Sequence, residues 1–80
     1  MEELTKNWLG AAIKLTRLRA QMSAAQVSEL AGYSSSYVAK IESGKLDPSV
    51  VAFAKIAKVL NMSDSEIVWL IRLIGLRETE

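Results

Sequence analysis

The sequence predicts an all-α domain of five short helices, folded as a single unit over residues 1–80. Three observations carry this prediction. Apolar residues recur at spacings of three and four from end to end, with no run of strict alternation. Polar helix starts divide the chain at four points, and glycine marks two of the stops between them. One proline and four glycines in a chain that is 50% hydrophobic describe a packed domain, not a linker or a disordered tail.

Residues from about Thr5 to Gln21 place Leu9, Ala12, Ile13 and Thr16 at i, i+3, i+4 and i+7, one face of a first helix. Ser23-Ala24-Ala25-Gln26 is a capping box, in which the serine oxygen accepts the N3 amide and the glutamine reaches back. The second helix, of about eight residues, turns Val27, Leu30 and Ala31 inward. Gly32 stands where a residue of positive φ is wanted. After a turn of about three residues, Ser34 is the next N-cap candidate, and a third helix runs from about Ser35 to Ser43. Val38 and Ile41 face inward there, and Gly44 is the stop. Helices this short bury a face only by packing on the first and fourth. Asp47 and Pro48 open the fourth helix as N-cap and N1, with Phe53, Ile56, Ala57 and Leu60 on its inner face. Ser63-Asp64-Ser65-Glu66 is a second capping box and opens the fifth helix, about 64–75, which ends near Gly75 and leaves Arg77 to Glu80 as a frayed tail.

Composition excludes several functions. The chain has no histidine and no cysteine, so it has no imidazole base, thiolate nucleophile or sulfur-bound zinc. No glycine-rich loop or carboxylate pair at helical spacing appears, and the nine acids are scattered. We expect no enzyme, no catalytic residue, no metal, no cofactor and no small-molecule substrate. The longest apolar stretch, Ile67–Leu76 with Arg72 inside it, is half the ~20 residues of a membrane span. Met1-Glu2-Glu3 reverses the charge of a signal peptide's start, so a cytoplasmic protein with no membrane partner is expected.

From Ser23 to Leu60 the pattern resembles the phage repressor/Cro-type helix-turn-helix family, often called the XRE family. The residues that carry the resemblance are Met22-Ser23, Val27, Leu30-Ala31-Gly32, Ser34, Tyr37-Val38 and Ile41-Glu42-Ser43-Gly44-Lys45. Pro48-Ser49 and Lys55 to Leu60 continue it downstream, and Leu9-Gly10, Ile13 and Arg17 fit the family's first helix. The match spans about Leu9 to Ile67. Three positions depart from the pattern: Ala24 replaces a phosphate-anchoring glutamine, Ser28 replaces a small alanine, and Thr16 replaces a leucine.

The resemblance implies a bacterial or phage-encoded DNA-binding protein whose third helix lies in the major groove of double-stranded DNA. Ser35, Ser36, Tyr37 and Lys40 would form the reading face, with Ser34 at its head. Ser43 and Lys45 after that helix, and Gln26 on the second, would touch the sugar–phosphate backbone. Hydroxyls permit close approach but discriminate bases weakly, whereas Lys40 can donate to guanine. Tyr37 has two fates of equal standing, covering the seam of the second and third helices or lying on the DNA backbone. Arg17 and Glu42 occupy positions that pair between the first and third helices, a structural ion pair that fixes the reading helix.

The fifth helix is apolar on two sides. Ile67, Leu70, Ile71 and Ile74 form one stripe, and Trp69, Leu73 and Leu76 form a second, with Arg72 between. One stripe suits the core. The other is read as a two-fold dimer interface made by Trp69, Arg72, Leu73 and Leu76; the competing reading has a segment with Trp8 folded over it.

The formal charge of +1 is unevenly spread. Lys14–Lys58 carries a net +4, while Met1–Ile13 carries −1 and Val59–Glu80 carries −2. The positive excess lies on the segment expected to meet DNA. The function that the resemblance implies is a homodimeric transcriptional regulator on an inverted-repeat operator, a repressor or a restriction–modification controller-type protein. Two alternatives accompany it: an antitoxin that also holds a toxin, and a helix-turn-helix domain used only for protein–protein contact.

Overall fold

The computed structural model describes the backbone of residues 2–79 and the side chains of residues 8–72. Five helices follow one another and no strand occurs among the described residues: α1 (Glu2–Arg19), α2 (Ala24–Leu30), α3 (Tyr37–Glu42), α4 (Val50–Val59) and α5 (Asp64–Thr79). The all-α architecture follows from the 3.6-residue periodicity and the punctuation between its runs.

Each of α1 to α4 ends the same way. The residue after the cap turns to positive φ, and its own amide and the next one donate back to last-turn carbonyls, a Schellman ending. Gly32 at +88° and Gly44 at +81° do this without a Cβ penalty. Gln21 at +57° and Asn61 at +56° do it with a side chain. At the end of α2, for example, the Gly32 amide donates to the Glu29 carbonyl and the Tyr33 amide to the Ser28 carbonyl. Sharp, repeated endings of this kind let 80 residues hold five helices in close sequence.

The core is one cluster. Leu9 and Ile13 of α1, Val27 of α2, Val38 and Ile41 of α3, and Phe53, Ile56 and Ala57 of α4 are buried together, with Leu70 of α5 at one edge. Helix α3 packs on both α1 and α2, and α5 packs on α4. Fully burying side chains of this kind stabilises the fold by ~1.5–3 kcal/mol each, so the two shortest helices are held by their neighbours.

Several boundaries differ from the sequence expectation, each for a local reason. Helix α1 begins at Glu2, ahead of Thr5. Helix α3 begins at Tyr37, because Ser34 to Tyr37 closes a turn in which the Tyr37 amide donates to the Ser34 carbonyl at 3.0 Å. Helix α4 is capped by Ser49, whose hydroxyl accepts the Ala52 amide at 3.1 Å, so Asp47 and the buried Pro48 precede the helix. The expected second capping box is one-sided: the Ser63 hydroxyl accepts the Glu66 amide at 3.3 Å, but the Glu66 carboxylate accepts that same hydroxyl and not the Ser63 amide. Helix α5 continues through Gly75 to Thr79, over the stretch expected to fray. Leu30, expected inward, is 66% exposed. The inward arc of α2 is set by Val27, Ser28 and Ala31, and at 3.6 residues per turn Leu30 lies about 110° from its middle.

Candidate nucleic-acid interface

The α2–turn–α3 unit is tied to the rest of the chain at three places. The first is a close approach. A Cβ on Gly10 of α1 would lie 2.6 Å from the Ile41 carbonyl oxygen and 3.0 Å from the Glu42 Cα. Only glycine lets the α1 backbone come this near to α3.

The second is the Arg17–Glu42 pair. Arg17 Nε donates to Glu42 Oε2 at 2.7 Å and Nη2 donates to Oε1 at 2.9 Å, a two-bond fork. Arg17 Nη1 donates to the Met22 carbonyl at 3.0 Å. One guanidinium thus joins the end of α1, the α1–α2 turn and the last residue of α3. Hydrogen bonding to Glu42 outweighs burial and raises the Arg17 pKa above its ordinary value.

The third tie is Ser28. Its side chain is fully buried, the sole buried polar side chain among the described residues. The hydroxyl donates to the Ala24 carbonyl at 2.7 Å, one turn back, and accepts the Val38 amide at 2.9 Å. Val38 is the second residue of α3, so its amide lacks an intrahelical acceptor. A residue of α2 therefore supplies the cap of α3. Ser36, at the N-cap position, has right-handed helical angles and makes no side-chain cap bond.

An aromatic stack stands over the turn. The Tyr33 and Tyr37 rings lie 4.2 Å apart and 11° from parallel, and Lys55 Nζ of α4 sits 5.6 Å from the Tyr33 ring centre, within cation–π range. Burial, and to a smaller degree Tyr33, raises the Tyr37 pKa. The Tyr37 ring is partly buried against the core.

The remaining predicted residues fall as follows. Ser34, Ser35, Ser36, Lys40, Ser43 and Lys45 are exposed along the turn, α3 and the loop after it. The Ser43 hydroxyl donates back to the Lys40 carbonyl at 3.1 Å. Gln26 is exposed, and its Oε1 accepts the Ser23 amide at 2.9 Å in the complete capping box, which leaves the amide group of its side chain to act as a donor. Tyr33, Lys55 and the capping role of Ser28 were not singled out by sequence reasoning. The one available signal was tyrosine at 33 and 37, a spacing that would bring two rings together on a helix but not across a turn.

On α5 and α1, Trp69 is 52% exposed and Trp8 is 41% exposed. Their ring centres are 4.7 Å apart and the planes are tilted by 52°. They stand in an open groove of about 390 Å³ between α1 and α5, walled also by Leu15, Met62 and Leu70 with Arg19 and Glu66 at the rim. Arg72 is exposed, while the side chains of Leu73 and Leu76 lie outside the described residues. The sequence left open whether Trp8 or a second chain covers Trp69, and within one chain Trp8 supplies part of that cover.

Among the described residues no group of three or more acidic side chains is placed to hold a metal ion, and no helix is long and apolar enough to cross a membrane.

Comparison with known families gives a match to a helix-turn-helix domain over residues 8–70, which spans α2, the turn and α3 together with most of α1, all of α4 and the first half of α5. Comparison with curated proteins and with solved structures gives no match. The chain belongs to the helix-turn-helix domain family.

Proposed function

We propose that this helix-turn-helix chain is a transcriptional regulator of the repressor/Cro type that binds an inverted-repeat DNA operator as a homodimer through α3. Membership of the family supports the DNA-binding part of this reading. The observation that carries it is the contrast between the two sides of α3. Its inner side is fixed by Val38, Ile41, the Ser28 cap and the Arg17–Glu42 fork. Its exposed side, with the turn before it and the loop after it, offers the hydroxyls of Ser34, Ser35, Ser36 and Ser43, the small Ala39 and the cations Lys40 and Lys45, with Arg17 already neutralised by its partner. A rigid helix with small polar residues outward is suited to enter a major groove.

The homodimer rests on the exposed apolar side chains of α5, Val68 at 50% and Trp69 at 52%. Two half-sites gripped together would offset the modest charge of a single domain. Selection of bound DNA from a random duplex pool tests both parts. A palindromic consensus, bound with an affinity that falls steeply with salt, is the expected result. No duplex binding at low salt would leave the chain as a protein-contact module.

The same exposed groove favours a second reading, in which the chain also holds another protein, as the antitoxin of a toxin–antitoxin pair does. A second chain of different sequence that stays with the native protein through purification would point there.

A further inference from the structure

We propose that Ser28 is a positioning residue for DNA reading: by capping α3 from within the domain, it leaves the serines at the head of that helix free for base edges. The inference rests on the DNA-binding function proposed above.

A helix start presents amides that need acceptors, and a serine at the N-cap usually supplies one. Three serines precede α3, and in isolation any of them suits that task. The Val38 amide is instead taken by Ser28, ten residues earlier and fully buried. The bond is pre-set, because the Ser28 hydroxyl spends its proton on the Ala24 carbonyl and so presents a lone pair to Val38. Ser36 keeps right-handed helical angles with no side-chain cap bond, and no hydrogen bond joins the side chains of Ser34, Ser35 or Ser36 to another described residue. Each of those exposed hydroxyls is therefore a donor and an acceptor without an internal claim on it.

Alanine at position 28 fits the same space but carries no acceptor. The Val38 amide would then recruit the hydroxyl of Ser36, the N-cap residue two positions before it, which must leave right-handed helical angles to reach it. That movement turns a hydroxyl away from DNA and shifts the first residue of α3. The expected consequence is specific. Contact with base edges weakens, while backbone contacts from Gln26, Ser43 and Lys45, which lie outside this turn, persist.

The experiment compares the wild type, Ser28→Ala, Ser36→Ala and the double variant on two probes, random duplex DNA and the duplex selected by the wild type. Amide hydrogen exchange at Val38 is followed in parallel. Ser28→Ala is expected to lose about tenfold in affinity for the selected duplex, the loss of roughly one base contact, with random-duplex affinity and its salt slope unchanged. Ser36→Ala is expected to lose a similar factor with the Val38 exchange rate unaltered, and to cost little more in the Ser28→Ala background. Equal loss on both duplexes, or fully additive losses, overturns the proposal. So does faster Val38 exchange in Ser36→Ala, which needs no folded Ser28→Ala protein to be seen. If the wild type binds neither duplex, DNA reading fails and this role fails with it, whereas protection of Val38 in the wild type alone still separates that outcome from an absent cap.

Discussion

Gly10 of α1 and Ile41 of α3 approach so closely that a methyl group on the glycine would stand 2.6 Å from the isoleucine carbonyl oxygen. The obstacle is backbone on both sides, so no side-chain rotation relieves it. Gly10→Ala gains up to ~1 kcal/mol of helix propensity but must push the two helices apart. Overpacking of this kind costs about 1–3 kcal/mol, and the contact here is tighter than most. A net loss of stability is expected in thermal unfolding; an unchanged or raised midpoint would show that α1 and α3 can separate freely.

The Arg17–Glu42 fork is partly shielded, with side-chain exposures of 12% and 9%. Glu42→Ala strands the guanidinium with the Met22 carbonyl as its remaining partner. The expected cost is about 2–3 kcal/mol, below the ~3–5 kcal/mol of a fully buried pair. Replacing both residues by methionine should recover part of the loss, since no charge is then left alone. Denaturant titrations of the three variants check the sign and the recovery.

Helices α1 and α4 end on residues with side chains at positive φ, Gln21 and Asn61. The left-handed conformation costs an ordinary residue roughly 1–2 kcal/mol, less for asparagine. Gln21→Gly is expected to stabilise the domain by about 1 kcal/mol and Asn61→Gly by less, because glycine meets no such penalty although it enlarges the unfolded ensemble. Both are exposed, so no core contact clouds the measurement. A destabilised Gln21→Gly protein would contradict the argument.

The Tyr37 phenol has a pKa above the usual tyrosine value, burial being the main cause. A raised folded-state pKa means that the native protein holds the proton more tightly than the unfolded chain. The stability linked to this group is therefore fully present below pH ~10, the unfolded value, and is lost as pH rises through the folded value. In absorbance titration, Tyr37→Phe should remove a phenol that titrates above the usual tyrosine value. Loss of absorbance only at or below that value would contradict the assignment.

Trp69→Glu places a charge in the α1–α5 groove beside Trp8. If α5 joins two copies, sedimentation should fall from dimer to monomer while helicity persists. A monomeric wild type, or a variant with unchanged sedimentation, removes α5 from the interface.

The legibility of this chain in its sequence varied with the kind of signal. The α2 capping box at Ser23 and Gln26 was readable because both partners are local and three residues apart. The start of α3 was not, because Ser34, Ser35 and Ser36 are chemically equivalent caps and only the fold reveals that the acceptor is Ser28. Position 28 was read correctly as small, but size concealed its hydrogen bonds. Leu30 was misread because a seven-residue helix has too little periodicity to fix its inner arc. The Arg17–Glu42 contact was expected from resemblance alone, since nothing local links residues 25 positions apart.

The chain's two tryptophans, Trp8 and Trp69, stand together beside α5, and its two tyrosines, Tyr33 and Tyr37, stand together at the α2–α3 turn. The two ring pairs thus label two separate sites with different chromophores. Indole emission and the circular dichroism of the paired indoles report what happens to the α1–α5 groove, and phenol absorbance reports what happens at α3. Any change at the groove and any change at α3 can be followed in one unmodified sample, each by its own optical signal, so the order of two such changes becomes observable.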